Sequence, residues 1–188
     1  MDSLHFVTTN KNKYLESQLI LQEYNISIEF RNIALTEIQS DSIEAIAISK
    51  ARSAFVKLSK PVIVEDDGLF IHELSSFPGQ YSSYVYKTIG SNGILKLLVD
   101  SKKRSATFRS YFTYYDGKRN PKSFKGEVHG SISYKITEGG WGYDPIFVPR
   151  GSVLTFGQLQ IRNMKIRFSH RTKALNRFAK WYQNLQTC

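Results

Sequence analysis

The chain has 188 residues, of which 41% are hydrophobic and 22% are charged. This length and composition predict one soluble globular domain over residues 1–188, and they exclude a disordered chain, a collagen-like repeat and a disulfide scaffold. No apolar run approaches the roughly 20 residues that a membrane helix needs. The single cysteine, Cys188, leaves no partner for an intrachain disulfide. We therefore expect a cytoplasmic protein without a membrane-spanning segment.

The charge is unevenly distributed along the sequence. The formal net charge is +10, yet residues 1–100 carry 9 Lys/Arg against 12 Asp/Glu. Residues 145–188 carry 8 Lys/Arg and no acidic residue. Such a basic segment indicates either an anionic partner or an ordinary solvated face, and charge alone leaves nucleic acid, a nucleotide and a membrane surface open as partners.

The first part of the chain alternates between strand and helix patterns. Short apolar strands are predicted at residues 4–8, 26–33 and 61–64, and helices at residues 11–24 and 41–58. Leu15 and Leu19 should lie on the inner face of the first helix. The third strand ends in Glu65-Asp66-Asp67-Gly68. This order of elements is typical of an α/β sheet.

The second half changes to a longer strand pattern. Residues 106–115 alternate apolar and polar side chains, and Asp116-Gly117 is a hairpin signal. A second long strand is predicted by apolar even-numbered residues, namely Val128, Ile132, Tyr134 and Ile136. A final helix follows Ser169 and carries an apolar stripe. Together the patterns predict an α/β fold with an elongated mixed β-sheet flanked by helices, in which the basic second half faces the acidic first half across a cleft.

A polar loop separates the first predicted strand from the first helix. It consists of Thr8, Thr9, Asn10, Lys11, Asn12 and Lys13. A loop that enters a helix directs backbone N–H groups and the positive end of the helix dipole towards one point, and these side chains suit a phosphate chain. The loop has no glycine, so it is neither a Walker loop nor a dinucleotide fingerprint. The alternative is an ordinary polar helix cap.

Three consecutive carboxylates follow the third predicted strand. Glu65, Asp66 and Asp67 repel one another unless a cation neutralises them. Carboxylates at the carboxyl end of a sheet are a usual oxygen site for magnesium, although the alternation of a strand means that all three need not bind one ion. The alternative is an acidic turn before Gly68. Glu37, taken alone, has the character of an ordinary exposed glutamate.

Two later segments carry candidate ligand contacts. Residues 139–145 hold three glycines around Trp141, so the backbone can approach a ligand and the ring can stack on a base. The alternative is a glycine-rich hairpin end. His170 and Arg171 open the last helix, with Lys165 upstream, and their positive charge opposes the helix dipole. An anion or a base with acceptor atoms explains this placement, and the alternative is an ordinary cap with surface charges.

Six motifs in this order resemble the inosine triphosphate pyrophosphatase family, whose members act on non-canonical purine nucleotides, and the chain looks like an archaeal member. The motifs are Thr8-x-Asn10-x-x-Lys13, Glu37-Ile38-Gln39, Glu65-Asp66-x-Gly68-Leu69, Phe77-Pro78-Gly79-x-Tyr81-Ser82, Gly140-Trp141-Gly142-Tyr143-Asp144-Pro145-x-Phe147 and Lys165-x-x-x-Ser169-His170-Arg171-x-x-Ala174-Leu175. Each motif alone is weakly specific. The resemblance comes from all six occurring in order over residues 8–175.

The resemblance implies a reaction, a cofactor and a site. The reaction is hydrolysis of ITP, dITP and XTP to the monophosphate and pyrophosphate, by attack of water at the α-phosphorus. The resemblance also implies Mg²⁺, a homodimer, and two lobes around a central substrate cleft. We expect neither nucleic acid nor a membrane as a partner. Residues 8–13 would bind the triphosphate, Glu37 and Asp66 the metal, and Asp66 would also be the general base. The other implied substrate contacts are Lys50, Asp67, Trp141, Gly142, Tyr143, Asp144, Lys165, His170 and Arg171.

The sequence departs from the family pattern at three places. Thr9 replaces a common glycine, Asp67 replaces the Ser or Thr that usually follows the catalytic aspartate, and Ser83-Tyr84 replaces a frequent Ala-Arg. Two alternatives stand beside this family. One is a Maf-like nucleotide pyrophosphatase of other base preference. The other is a basic nucleic-acid-binding module that uses the aromatic strand and the basic C-terminus, which leaves the three carboxylates unexplained.

Overall fold

The computed structural model describes residues 4–187, which contain a seven-stranded sheet flanked by helices. The strands are β1 (Leu4–Val7), β2 (Ile28–Arg31), β3 (Val62–Ile71), β4 (Pro78–Gly79), β5 (Ser105–Tyr115), β6 (Lys122–Ile132) and β7 (Phe147–Pro149). Their order is β2-β1-β3-β5-β6-β7, and β4 pairs with β3 outside this path. β1 is parallel to β2 and β3, whereas β6 is antiparallel to β7. The predicted mixed α/β sheet is therefore confirmed.

The helices connect these strands along the described chain. They are α1 (Lys11–Gln22), α2 (Ile43–Leu58), a 3-10 helix (His72–Leu74), α3 (Ser82–Thr88), α4 (Gly90–Leu97), α5 (Phe156–Ile161), α6 (Lys165–Phe168) and α7 (His170–Thr187). The predicted order of strand, helix, strand, helix, strand is present as β1, α1, β2, α2 and β3. Within residues 4–187, no helix combines the length and the apolar character needed to cross a membrane.

The buried face of α1 differs from the prediction. Leu15 and Leu19 are 46% and 53% exposed, so the inward placement predicted for them is wrong. The buried residues are Ser17, Ile20 and Leu21, which are spaced as one face of a helix. The apolar pattern indicated the wrong face because one of the three buried residues, Ser17, is polar.

The strand β3 is longer than predicted. It runs from Val62 to Ile71, so the three carboxylates lie inside a strand and not in a turn at its end. β1 ends at Val7, but β3 continues beyond that end and pairs with β4 through Leu69↔Gly79 and Phe70↔Pro78. This second partner keeps the chain extended past the acidic residues.

The long strands β5 and β6 follow the predicted pattern up to Ile132. The buried even-numbered side chains of β6 include Val128 and Ile132, as predicted. Tyr134 and Ile136 lie beyond the strand and are exposed, so their predicted place on it is wrong. The Tyr134 ring instead lies 4.5 Å from the guanidinium of the buried Arg104, which is a cation–π contact.

The described residues form two compact units, each with its own apolar core. The first unit comprises residues 4–66, 110–126 and 171–187, and the second comprises residues 67–109 and 127–170. Val7, Ala51, Ala54, Val62 and Val64 form a core cluster in the first unit. A core cluster in the second unit includes Leu69, Ile94, Phe108, Tyr143, Phe147 and Phe156.

The helix α7 begins at His170, directly after Ser169, close to where the sequence predicts it. Leu175, Phe178 and Tyr182 of its predicted apolar stripe are buried. The Phe178 ring packs on Tyr114 of β5 and on Phe124 of β6 within the first unit. These aromatic contacts fix the helix to the strands of that unit.

Candidate active site

The loop between β1 and α1 is held by its own side chains. The Asn10 carboxamide oxygen accepts hydrogen bonds from the backbone N–H groups of Asn12 and Lys13, at 3.0 and 3.4 Å. The Thr8 hydroxyl accepts from the Asn10 backbone N–H at 3.1 Å. Thr9, Lys11 and Asn12 are exposed. The predicted helix cap therefore exists, and it presents polar side chains to solvent at a positive helix end.

Glu65 gathers cationic and hydroxyl groups inside the first unit. The Arg171 Nε–H donates to both of its carboxylate oxygens at 2.8 and 3.0 Å, and the Ser110 hydroxyl donates at 2.8 Å. Lys13 Nζ lies 3.9 Å from the second oxygen, Oε2. Arg171 NH1 also donates to Glu16 Oε2 at 2.5 Å. Glu65 thus ties the polar loop to the first turn of α7.

Lys50 brings the two predicted metal ligands together. Its Nζ atom lies 2.8 Å from Glu37 Oε1 and 3.6 Å from Asp66 Oδ1, and it donates to the Glu65 backbone carbonyl at 3.3 Å. Lys50 comes from α2, Glu37 precedes that helix, and Asp66 lies on β3. Three oxygen atoms therefore converge on one cationic atom. We call Lys13, Glu16, Glu37, Lys50, Glu65, Asp66 and Arg171 the first cluster.

Asp144 organises the glycine-rich segment of the second unit. Its Oδ2 atom accepts from Lys165 Nζ at 2.6 Å and from the Trp141 backbone N–H at 3.1 Å. Lys165 Nζ also lies 5.3 Å from the centroid of the Trp141 ring. The side chains of Asp144 and Lys165 are each only 5% exposed. We call Trp141, Gly142, Tyr143, Asp144 and Lys165 the second cluster.

Gly140 is required by this close packing. Its φ angle is +74°, and a Cβ atom at this position would lie 2.4 Å from Asp144 Cβ. Any other residue would therefore push Asp144 out of place and strain the backbone. The glycine permits the turn in which Asp144 receives the Trp141 N–H.

Tyr143 and His170 are buried against apolar residues of the second unit. The Tyr143 ring belongs to that unit's core and packs edge-on to Tyr86, and burial raises the pKa of its phenol. This places the side chain of Tyr143 in the core, so the segment would offer its backbone to a ligand at this position. The His170 ring stacks on Phe108, with centroids 4.7 Å apart, and its Nε2 lies 3.7 Å from Asp67 Oδ2.

Each of the three consecutive carboxylates lies near a cationic or ionisable side chain of its own. Glu65 pairs with Arg171, Asp66 lies near Lys50, and Asp67 lies near His170. The repulsion expected from the sequence is therefore relieved by side chains. Sequence reasoning did not single out Glu16 or Ser110. Ser110 carried a signal, since it lies on the inward-facing side of an alternating strand, whereas Glu16 meets Arg171 across 155 positions and carried none.

Known proteins resemble this chain over almost its whole length. A sequence profile of the Ham1 family matches residues 4–181. The dITP/XTP pyrophosphatase of Methanopyrus kandleri is 48% identical over 180 residues, which cover 95% of each chain. The dITP/XTP pyrophosphatase of Saccharolobus solfataricus is 42% identical over 179 residues, covering 95% of this chain and 92% of the relative.

Solved structures agree with these sequence matches. A HAM1 protein from Coxiella burnetii superposes with a TM-score of 0.84 and 26% identity, covering 98% of this chain and 100% of that one. The Ham1 protein of Staphylococcus aureus gives a TM-score of 0.82 at 26% identity, covering 97% and 99%. The family predicted from the six motifs is confirmed, and the Maf-like alternative is not supported. The chain belongs to the Ham1 family.

Proposed function

We propose that this chain hydrolyses the non-canonical purine nucleoside triphosphates dITP, XTP and ITP to the monophosphate and pyrophosphate. The observation that carries the proposal is the first cluster, where Lys13, Lys50 and Arg171 meet carboxylates beside a loop suited to phosphate. The activity after which these relatives are named, dITP/XTP pyrophosphatase, supports the same substrate class. Such an activity removes deaminated purines from the nucleotide pool.

We propose that the first cluster also binds a divalent cation, Mg²⁺, through Glu37 and Asp66. The donor set fits, because two carboxylates and one carbonyl lie within 3.6 Å of the Lys50 ammonium, and oxygen ligands are those that Mg²⁺ prefers. The cluster has three cationic and four anionic side chains, a net charge of −1 that would repel a triphosphate. When bound, the ion supplies charge neutralisation and a polarised water molecule.

Asp66 is the proposed general base. In the proposed step, a water oxygen forms a bond to the α-phosphorus while the bond from that phosphorus to the bridging oxygen of the β-phosphate breaks. The water proton passes to the Asp66 carboxylate, and pyrophosphate leaves. Lys13 would stabilise the negative charge that moves onto the leaving group, and Arg171 would add its positive charge from its buried position beside Glu65. Phosphoryl transfer needs mainly positioning and charge stabilisation, which is what this set of side chains offers.

The second cluster is the proposed contact for the purine base. Hypoxanthine and xanthine carry a 6-oxo acceptor, whereas adenine carries a 6-amino donor. Backbone N–H groups of the glycine-rich segment and Lys165 can donate to an oxo group, and adenine would leave such donors unpaired. Trp141 adds stacking for any purine without selecting among them. We propose that His170 and Asp67 contact the substrate as well, as the family resemblance implies.

A panel of triphosphates tests the proposed function. We expect kcat/KM for dITP, XTP and ITP, measured as pyrophosphate release with saturating Mg²⁺, to exceed that for ATP by about 100-fold or more, because each unpaired donor costs about 1–3 kcal/mol. GTP should also be a poor substrate. Equal turnover of ATP and ITP would contradict the substrate class. Absence of pyrophosphate release from every triphosphate would contradict the reaction itself.

We propose a homodimer, as the family resemblance implies. Light scattering after size-exclusion chromatography gives the mass directly. A mass twice that of the chain supports the dimer, and the mass of one chain over the concentration range of the assay contradicts it. Running the same measurement with and without dITP separates a permanent dimer from one that substrate stabilises.

A further inference from the structure

One face of α7 carries a basic stripe that the proposed reaction does not use. Lys173, Arg177 and Lys180 follow one another at spacings of four and three residues, so they share a face of the helix, and all three are exposed. The sequence of α7 contains no Asp or Glu. Like charges at these spacings destabilise a helix, and no acidic residue of α7 compensates them.

The strand β6 adds two lysines to the same surface of the first unit. Arg177 NH1 donates to the backbone carbonyl of Lys125 at 2.7 Å, which joins the middle of the stripe to the strand. Lys122 Nζ lies 5.9 Å from the centroid of the half-buried Trp181 ring. We define the basic surface as Lys122, Lys125, Lys173, Arg177 and Lys180, together with Trp181.

We propose that the basic surface binds single-stranded nucleic acid, with its cations on the phosphates and Trp181 against a base. Five cations on one surface match a polyanion, and an aromatic ring beside a lysine is the combination that single-strand binding uses. An anionic membrane fits less well, because residues 117–126 and 170–186 contain no exposed large aliphatic side chain that could insert into it.

This surface accounts for the basic C-terminal segment that the sequence left unexplained. Of the eight Lys and Arg residues in 145–188, the proposed reaction uses only Lys165 and Arg171, together with His170. The stripe supplies three of the other Lys and Arg residues. The proposal departs from the expectation that nucleic acid is not a partner. It goes beyond hydrolysis of free nucleotides, because the cations concerned lie outside both clusters.

A pair of charge-matched variants tests the proposal. The stripe variant is Lys173→Gln/Arg177→Gln/Lys180→Gln, and the control variant is Lys96→Gln/Lys102→Gln/Lys103→Gln, which removes three charges from exposed positions of the second unit. The melting temperature and dITP turnover should match the unmodified protein in both. The double variant Lys173→Gln/Lys180→Gln keeps the Arg177 contact and serves if the triple variant folds poorly.

The probe is a fluorescent oligothymidine of 20 nucleotides, and its affinity is measured by anisotropy at several KCl concentrations. The stripe variant should bind about 10-fold more weakly at low salt. The slope of log affinity against log salt should decrease in magnitude by about 2, because each of the three lost phosphate contacts contributes about 0.7 to that slope on a single strand. Trp181→Leu should weaken binding about 5-fold or more without changing the slope. The control variant should change affinity less than about 2-fold.

Three results would overturn the proposal. An equal loss of affinity in the stripe and control variants would mean that only net charge attracts the oligonucleotide. A Trp181→Leu variant that binds as tightly as the unmodified protein would remove the stacking contact. Binding to phosphatidylglycerol vesicles without binding to the oligonucleotide would assign the surface to a membrane instead.

Discussion

The Nε–H group of Arg171 donates to both carboxylate oxygens of Glu65, although the two residues are 106 positions apart in the chain. Their side chains are only 1% and 0% exposed. A buried ion pair is costly to break, because removal of one partner leaves the other charge desolvated and uncompensated. The first cluster therefore depends on this pair for its structure as well as its charge.

Glu65→Gln should lower the free energy of unfolding by about 3 kcal/mol, because it removes the charge that compensates the buried Arg171. Ser110→Ala is the matched control, since it removes a neutral donor to the same carboxylate and should cost roughly half as much. Urea denaturation followed by circular dichroism measures both. Equal losses in the two variants would show that the charge of Glu65 contributes nothing beyond its hydrogen bonds.

Asp66→Asn should leave a folded protein whose kcat for dITP falls by about 100-fold or more, because the amide cannot accept the water proton. Asp100→Asn, on an exposed residue, is the control and should retain full activity. The melting temperatures of both variants confirm folding. Retention of more than about a tenth of the original kcat by Asp66→Asn would exclude the base role.

Lys50→Met should raise the affinity of the nucleotide-free protein for Mg²⁺ or Mn²⁺ by about 10-fold or more, because the ammonium competes for the same oxygens. Isothermal titration with the metal alone measures this, and the metal should raise the melting temperature more in the variant than in the unmodified protein. Lys57→Met removes a lysine from the same helix, and its metal affinity should not change. Unchanged affinity in Lys50→Met would contradict a cation site between Glu37 and Asp66.

Lys165→Met and Asp144→Asn should each destabilise the second unit. Lys165→Met should lower the free energy of unfolding by about 3 kcal/mol, because it leaves the buried Asp144 carboxylate unpaired. The loss of unfolding free energy in the double variant should be smaller than the sum of the two single losses by at least about 1 kcal/mol. The reason is that, once both partners are neutral, no buried charge is left unpaired. Denaturant unfolding of the four proteins gives the coupling. Strictly additive losses would show that the 2.6 Å contact is energetically unimportant.

The sequence patterns predict the alternating first part of the fold well, because apolar periodicity reflects burial directly. They fail on α1, where the buried Ser17 has no apolar signature. They also fail on β3, where the acidic residues indicate a turn but pairing with β4 keeps the strand extended. Both failures arise where tertiary contacts outweigh the local preference of the residues.

Apart from Glu16, the residues of the two clusters were singled out from the sequence, whereas their mutual contacts were not. The motif that contains Glu65 and Asp66 gives no hint that Glu65 binds Arg171 while Asp66 lies beside Lys50. Pairing across such separations depends on where β3 and α7 come together in the fold. The local sequence does not determine that placement, so the partners can be assigned only from the structure.

The cap formed by Asn10 would make the proposed phosphate binding at this loop an exchange of hydrogen-bond partners. Two backbone amides at the start of α1 already donate to the Asn10 side chain, so an anion can use them only by displacing that carboxamide. Free inorganic phosphate offers few contacts, so we expect it to leave the cap in place. A triphosphate has further oxygens for Lys13 and its neighbours, so the same displacement becomes favourable for the longer anion.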